Sequence, residues 1–367
     1  MKVIHICQRD DPATGGAVRV AFELVKRLIN KGIETRLLFL YGESGYFGHQ
    51  IDGHCDYLGL KDSKDILFYP RLVKYLTTTK PDVVHHHDNL LWPQLLTLKH
   101  PSYKKIIHAH SGEYAKHPSI KVRLLYSCQR SSADRVVAIT AEIKQNQCIN
   151  VGFNPDKVDV IYNGIDLCHF TPSSESEKTV ARRQLELPPE KLIAGFVGRL
   201  DNAMKGGDDF LRVIAKLSQN WMGLIVGDGP DLLALKELAK DLHIHDRVFF
   251  TGLLNDTRIA YQCMDTFCFT SRFEPFGLTI IEAMASGVPV IGFDCPGGSQ
   301  EILTQETSIL VYNRDIGSMA SLVSSVFTDR EQWKHRSDAA LRLLREKFSW
   351  EISTQQSIDI YVSLLAN

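Results

Sequence analysis

TFCFTSRFEPFGLTIIEAMASGVPVIGF, residues 266–293, reads as strand, loop, helix and strand. Thr266–Phe269 and Pro289–Phe293 are short apolar runs. Between them Leu278–Ser286 carries Ile280, Ile281, Ala283 and Met284 at helical spacing. Pro275 cannot continue a helix and Gly277 supplies a tight turn, so the helix starts after them. A strand, a helix and a second apolar strand form the repeating unit of a parallel α/β sheet.

The same alternation extends outward. Upstream come strand Leu192–Val197, helix Asp208–Leu217, strand Gly223–Val226, helix Leu232–Leu242 and strand Val248–Phe250. The N-terminal half repeats it with strand Val3–Cys7, helix Ala17–Lys31, strand Thr35–Leu40, then apolar runs at Val83-Val84, Lys105–Ala109 and Arg135–Ile139. Helices follow through Met319–Phe348 and Trp350–Leu365. The pattern pauses at Asn163–Lys178, where the polar TPSSES (171–176) marks a linker. The expectation is two doubly wound α/β domains facing across a cleft, residues 1–168 and 169–349, with ligands beyond the carboxyl ends of the strands.

Bulk properties agree with a soluble enzyme-sized chain. The 367 residues include 44% hydrophobic and 23% charged ones, and the net charge is −1. That balance disfavours a dedicated nucleic-acid binder. It hides an asymmetry: residues 1–168 carry a net +5 and the remainder −6. Lys99, Lys104, Lys105, Lys116, Lys121, Arg123, Arg130 and Arg135 face only Glu113 and Asp134 within 99–135. The eight cysteines show no CxxC pair, and the start is too short an apolar run for a signal peptide. With no apolar stretch of membrane-spanning length, a reducing cytoplasm is expected.

Candidate chemistry concentrates in the second half. Arg199 stands just past a strand, and Lys205-Gly206-Gly207 follows in the same loop; a planar fork and a mobile ammonium together suit a diphosphate. Two solvated surface cations are the competing reading. Gly227 and Gly229 in VGDGP allow close backbone approach to a ring or phosphate, or simply form a turn. The amides of Gly277, Leu278 and Thr279 open a helix and are ready for an anion. Glu274 sits before that helix on the loop; Glu282, two turns later among apolar neighbours, suits hydroxyls such as a ribose diol, with one ordinary exposed Glu on a helix as the competing reading.

In order along the chain, these motifs resemble the retaining nucleotide-sugar glycosyltransferases of family four, which have the GT-B fold of two Rossmann-like domains. The resemblance runs through Gly15-Gly16, YNGID (162–166), GRL with Lys205-Gly206, VGDGP, FTG (250–252), EPFGLTIIE as the E-x7-E motif, and GVPVIGFDCPGG before Glu301. It implies that Arg199 and Lys205 hold the diphosphate and that Glu274 binds donor-sugar hydroxyls. It further implies that the amides after Phe276 support sugar or phosphate, that Glu282 takes the ribose, and that Gly15-Gly16 lie over the diphosphate. His110 resembles the family's active-site histidine. The first domain would bind the acceptor, the second the nucleotide sugar, and 350–367 would cross back to the first. UDP-hexose is the default donor, GDP the next, and a cell-envelope glycan or glycolipid the acceptor. Charge development on the leaving diphosphate would be met by the cations and helix amides without a metal. No carboxylate stands out as a nucleophile, so same-face attack by the acceptor is favoured.

Two features stay outside that assignment. His85-His86-His87-Asp88 with His108 and His110 invites a metal reading, against hydrogen-bonded loop histidines or acceptor contacts. With no HExxH and no cysteine pair, no metal is expected. Ser119–Arg130 reads as a basic helix, either a solvated face or a peripheral contact to anionic lipid. Competing functions are a nucleotide-sugar 2-epimerase or hydrolase and a catalytically silent nucleotide-sugar binder. A dehydrogenase is disfavoured because no GxGxxG follows a strand.

Overall fold

A computed structural model describes residues 1–11, 15–51, 53–62, 65, 67–87, 102–111 and 119–366. Asp88, Lys99, Glu113 and Lys116 lie outside the described residues. The chain divides into two compact units: Met1–Asn163 with Trp350–Asn367, and Gly164–Ser349.

Unit 1 is built on β1 (Lys2–Arg9), β2 (Glu34–Tyr41), β3 (Cys55–Leu60), β4 (Val83–His86), β5 (Lys104–Ala109), β6 (Arg135–Ala138) and β7 (Val158–Val160). Unit 2 is built on β8 (Leu192–Val197), β9 (Trp221–Val226), β10 (Val248–Gly252), β11 (Thr266–Phe269), β12 (Val290–Phe293) and β13 (Ile309–Val311). The sheet orders are β3-β2-β1-β4-β5-β6-β7 and β10-β9-β8-β11-β12-β13. Each observed strand pairing is parallel. In both sheets the first and fourth strands are neighbours, so strand order reverses between them. Ligands of doubly wound sheets bind beyond the carboxyl ends at that switch point.

Parallel strands must be covered on both faces, which explains their near-continuous apolar character. In unit 1 the Gly16–Asn30 helix buries Val18, Val20, Ala21, Phe22, Leu24, Val25 and Leu28 on one side of the sheet. Phe68, Leu72 and Leu76 cover the other side from the Phe68–Thr79 helix. Each such Val, Leu or Phe side chain contributes roughly 1.5–3 kcal/mol on burial. In unit 2 Phe210, Leu211, Val213 and Ile214 of the Gly207–Lys216 helix pack with Trp221, Ile225, Ile291 and Phe293.

The expected linker is partly helix. Ser174 caps Glu175–Gln184 with a reciprocal capping box: its Oγ accepts from the Glu177 amide and the Glu177 carboxylate accepts from the Ser174 amide. Such a box satisfies two otherwise orphan amides. The stretch before it belongs to unit 2, because the Ile165 amide donates to Phe348 O at 2.8 Å. The helix Trp350–Leu365 lies in unit 1, where Ser353 Oγ donates to Tyr162 O at 2.6 Å. There the Arg27 guanidinium sits 4.8 Å from the Trp350 ring centroid.

Candidate active site

Strands β8 and β11 flank the second switch point, and both loops that leave them carry the expected residues. Arg199 follows β8; its side chain is exposed and makes no hydrogen bond or ion pair with a described residue. Lys205 ends the short Asn202–Lys205 helix. Gly206 turns the chain at φ +66°, and a Cβ there would stand 2.2 Å from Thr270 O. Only glycine tolerates that approach, and it docks the turn onto the loop after β11. Thr270 Oγ1 donates to Lys205 O at 3.2 Å, and the Arg272 amide donates to Met204 O at 2.7 Å. Lys205 Nζ is thereby brought to 2.6 Å from Glu274 Oε2. Their side chains are 24% and 11% exposed, so the pair is largely removed from water but reachable. Ser271 Oγ adds a hydrogen bond to the same carboxylate oxygen at 3.3 Å.

Glu274 is held from behind. Gly297 has φ +115°, and a Cβ there would lie 2.0 Å from Glu274 O. The Glu274 amide donates to Pro296 O at 3.1 Å. Gly277, at φ +107°, is the N-cap of the Leu278–Ala285 helix. The Leu278 and Thr279 amides make no hydrogen bond to a described residue, leaving donors at the positive end of the helix dipole. Phe276 is buried with its ring edge-on to Phe348, centroids 5.8 Å apart, so its side chain is core and only its neighbours' backbone is available. Glu282 is buried, and Tyr261 OH donates to its Oε2 at 2.9 Å.

Gly227 and Gly229 act on the fold in a way the sequence did not specify. Cβ atoms there would meet Gly198 O at 2.0 Å and Leu200 O at 2.5 Å. The glycines let the loop after β9 press on the loop after β8, and so they place Arg199. Sequence reasoning also missed Arg314. Its guanidinium donates to Thr270 O at 2.8 Å and to Ser271 O at 2.9 Å, and pairs with Asp209 at 2.5 Å. Arg272 meets Asp208 at 2.8 Å and Asp209 at 2.9 Å. These pairs fix the loop that carries Glu274; no local motif announces a cation some 40 residues downstream.

At the first switch point, Gly15 opens the Gly16–Asn30 helix at φ +118° and Gly16 is its first residue; both are exposed. His110, just beyond β5, bonds through Nε2 to His87 Nδ1 at 2.9 Å. It belongs to a column of histidines. His5, His85, His87, His108 and His110 share one face, because β1, β4 and β5 pair in register and their side chains alternate. His108 and His110 stack with centroids 4.2 Å apart. Burial pushes His5 and His110 down to about 3 and holds His85, His87 and His108 well below the ordinary imidazole value, so the column is neutral. Nitrogens of His5, His85 and His87, and of His87, His108 and His110, lie within 4.8 Å of one another, near enough to share an ion.

Comparison with known proteins follows the division of the chain. Residues 14–168 match the model of Glycosyltransferase Family 4, and 177–342 that of Glycosyl transferases group 1. An uncharacterized glycosyltransferase of Methanocaldococcus jannaschii is 29% identical over 78% of this chain and 76% of its own. A lipopolysaccharide core biosynthesis mannosyltransferase of Rhizobium meliloti is 32% identical over 56% of this chain and 61% of its own. The chain spans about half the length of several other curated relatives. Anabaena HepE, solved with UDP and glucose, superposes with a TM-score of 0.85 over 99% of this chain and 100% of its own, at 21% identity. That likeness establishes the two-domain GT-B fold.

Proposed function

This chain belongs to the family 4, group 1 glycosyltransferases, and from that premise we propose that it moves a hexose from a nucleotide sugar, UDP-hexose by default, to a hydroxyl of a cell-envelope glycan or glycolipid. One observation carries the reading: the second switch point brings Lys205, Glu274 and the free amides of Leu278 and Thr279 onto adjoining loops. Breaking the anomeric bond leaves negative charge on the diphosphate and positive charge on the sugar. Lys205, Arg199 and the helix amides meet the first charge where it develops. Glu274, already paired to Lys205, faces the sugar hydroxyls as acceptor. Phe276, Gly277 and the amides after it shape the sugar and phosphate contact. Glu282 takes the ribose, a role that rests on the family resemblance, as do those of Gly15-Gly16 toward the diphosphate and His110 toward the donor sugar. Gly227 and Gly229 support the nucleotide side by placing Arg199. The acceptor attacks from the face the diphosphate leaves, the departing phosphate takes its proton, and configuration is retained. Fixed cations replace a metal in this scheme.

Thermal-shift screening against nucleoside diphosphates and their sugars, then nucleotide release with envelope glycolipid in excess EDTA, tests it. Stabilisation by one diphosphate and undiminished transfer support the reading. Complete metal dependence removes the charge argument, and release without an acceptor product favours the hydrolase or epimerase alternative.

We also propose a peripheral membrane contact through unit 1, with the enzyme on the cytoplasmic face. Among the described residues no helix is long and apolar enough to cross a membrane. The Ile120–Ser132 helix leaves Ile120 80% and Leu124 54% exposed beside the exposed Lys121 and Arg123. An apolar ridge flanked by cations suits an anionic bilayer surface. Co-sedimentation with anionic vesicles at low salt should exceed that with neutral ones; equal binding removes the contact.

A further inference from the structure

The histidine column has an internal direction. His5 Nδ1 lies 2.9 Å from His87 Nε2, and His87 Nδ1 lies 2.9 Å from His110 Nε2. Three neutral imidazoles carry three protons, one each. Two of them fill the two hydrogen bonds. The third sits at one end of the chain, on His5 Nε2 or on His110 Nδ1. His5 Nε2 is buried without a hydrogen-bond partner, whereas His110 is partly exposed. A buried N–H without an acceptor is among the rarest defects in folded proteins, and a bare lone pair is tolerated more readily. The order His5 to His87 to His110, each Nδ1–H donating to the next Nε2, places the third proton on the partly exposed His110, whereas the reverse order places it on the buried, unpartnered His5 Nε2.

An ion shared by either triplet fits this arrangement poorly. His87 belongs to both triplets and spends both of its nitrogens on the chain. Within the triplets the rings are stacked or tilted: 34° for His5–His85, 26° for His5–His87 and for His85–His87, 36° for His87–His108, 29° for His87–His110 and 15° for His108–His110.

We propose that His87, backed by His5, is a positioning residue that locks His110 as the neutral Nδ1–H tautomer, so that His110 offers substrate a fixed hydrogen-bond donor and no titratable proton. The catalytic consequence rests on the glycosyl-transfer reading; the tautomer itself does not. The oxygen that receives the bond belongs to a sugar hydroxyl or to the acceptor. His85 is held apart from the chain by Tyr361, whose OH lies 2.8 Å from His85 Nδ1. Tyr361 comes from the Trp350–Leu365 helix, so the C-terminal segment braces the column. Among the described residues, the titratable groups facing His110 are His87, His108 and, one ring further, His85 and His5.

Nitrogen-15 histidine spectra of the whole protein test this, with His110→Gln identifying the His110 signals. The wild-type spectrum should show His110 protonated on Nδ1 and bare on Nε2 from pH 5 to 8. His87→Ala should release a tautomer mixture and bring the His110 titration back toward ~6.5. It should also lower transfer kcat/KM about tenfold and add a break to its pH profile. His87→Gln, which retains an N–H donor, should restore most of that loss and abolish the break. An Nε2–H tautomer in the wild type overturns the proposal, as does a His110 tautomer unchanged in His87→Ala. So does stoichiometric zinc whose removal shifts these signals. If His87→Ala fails to fold, the wild-type spectrum still decides. A locked Nδ1–H tautomer in a protein that transfers no sugar would defeat the functional reading and leave the chain of imidazoles standing.

Discussion

At the β1–β4 switch point five imidazoles stack in a neutral column, and the rings are buried apart from the partly open His110. At the β8–β11 switch point a lysine and a carboxylate meet at 2.6 Å beside free helix amides. The two sheets share one strand order, so topology does not cause the difference. It comes from what the loops carry. In unit 2, glycines of positive φ press loop against loop and hold charges at the strand ends. In unit 1, alternation along adjacent parallel strands gathers rings on one face and excludes water from most of them. One fold thus carries a charged pair beside free helix amides in one unit and an uncharged row of rings in the other, and the chemistry belongs to the sites.

Removing the charge should break that contrast most strongly. Lys205→Ala is expected to lower turnover by roughly 10²–10³, the loss typical of a preorganised donor to a developing anion. Circular dichroism should show the fold retained. Nucleotide release at near-normal rate would mean that unit 2 does not grip the diphosphate there.

The glycines should separate the two regions next. Gly227→Ala places a methyl 2.0 Å from Gly198 O, whereas Gly15, though at φ +118°, has nothing within 4 Å of its added Cβ. Gly227→Ala should cost several kcal/mol in urea unfolding, and Gly15→Ala only the backbone strain of about 1–2 kcal/mol. Equal losses would contradict loop-on-loop packing as the device that sets the second site.

Acid should act on the first region through its histidines. His5 and His110 fall from 6.5 to about 3 on folding, so the unfolded chain binds more protons between those values. Their contribution is complete above ~6.5 and is lost progressively as pH falls toward about 3. Hydrogen exchange at pH 7 and pH 5 should show β1, β4 and β5 losing protection, and His5→Phe should reduce that loss. Protection independent of pH in those strands would mean that the histidines are charged or solvated.

Much of this was legible in residue order. Strand Thr266–Phe269 and the helix after Gly277 were readable because their apolar runs are bounded by Pro275, Gly277 and Gly287. Three of the four sheet edges were not. Cys55–Leu60, Val158–Val160 and Ile309–Val311 are short and only partly buried, so they lack the apolar signal of central strands. The capping box of Ser174 and Glu177 was present in the sequence, yet its Pro/Ser context read as linker. At the site, Lys205 and Glu274 were visible as residue types at strand ends, but their pairing was not. It depends on Gly206 against Thr270 and on Arg314, contacts between positions far apart in the chain. The histidine column was half visible. His85 and His87, like His108 and His110, alternate onto one face, but only the register of β1, β4 and β5 stacks them together.

The most direct measurement is calorimetric titration of UDP and GDP in excess EDTA into wild type, Lys205→Ala and His110→Gln. The account predicts that one diphosphate binds the wild type, that Lys205→Ala weakens it at least tenfold, about the contribution of one charge-assisted hydrogen bond, and that His110→Gln leaves it nearly unchanged. Equal affinity in wild type and Lys205→Ala would contradict the claim that the charged switch point of unit 2 holds the leaving group.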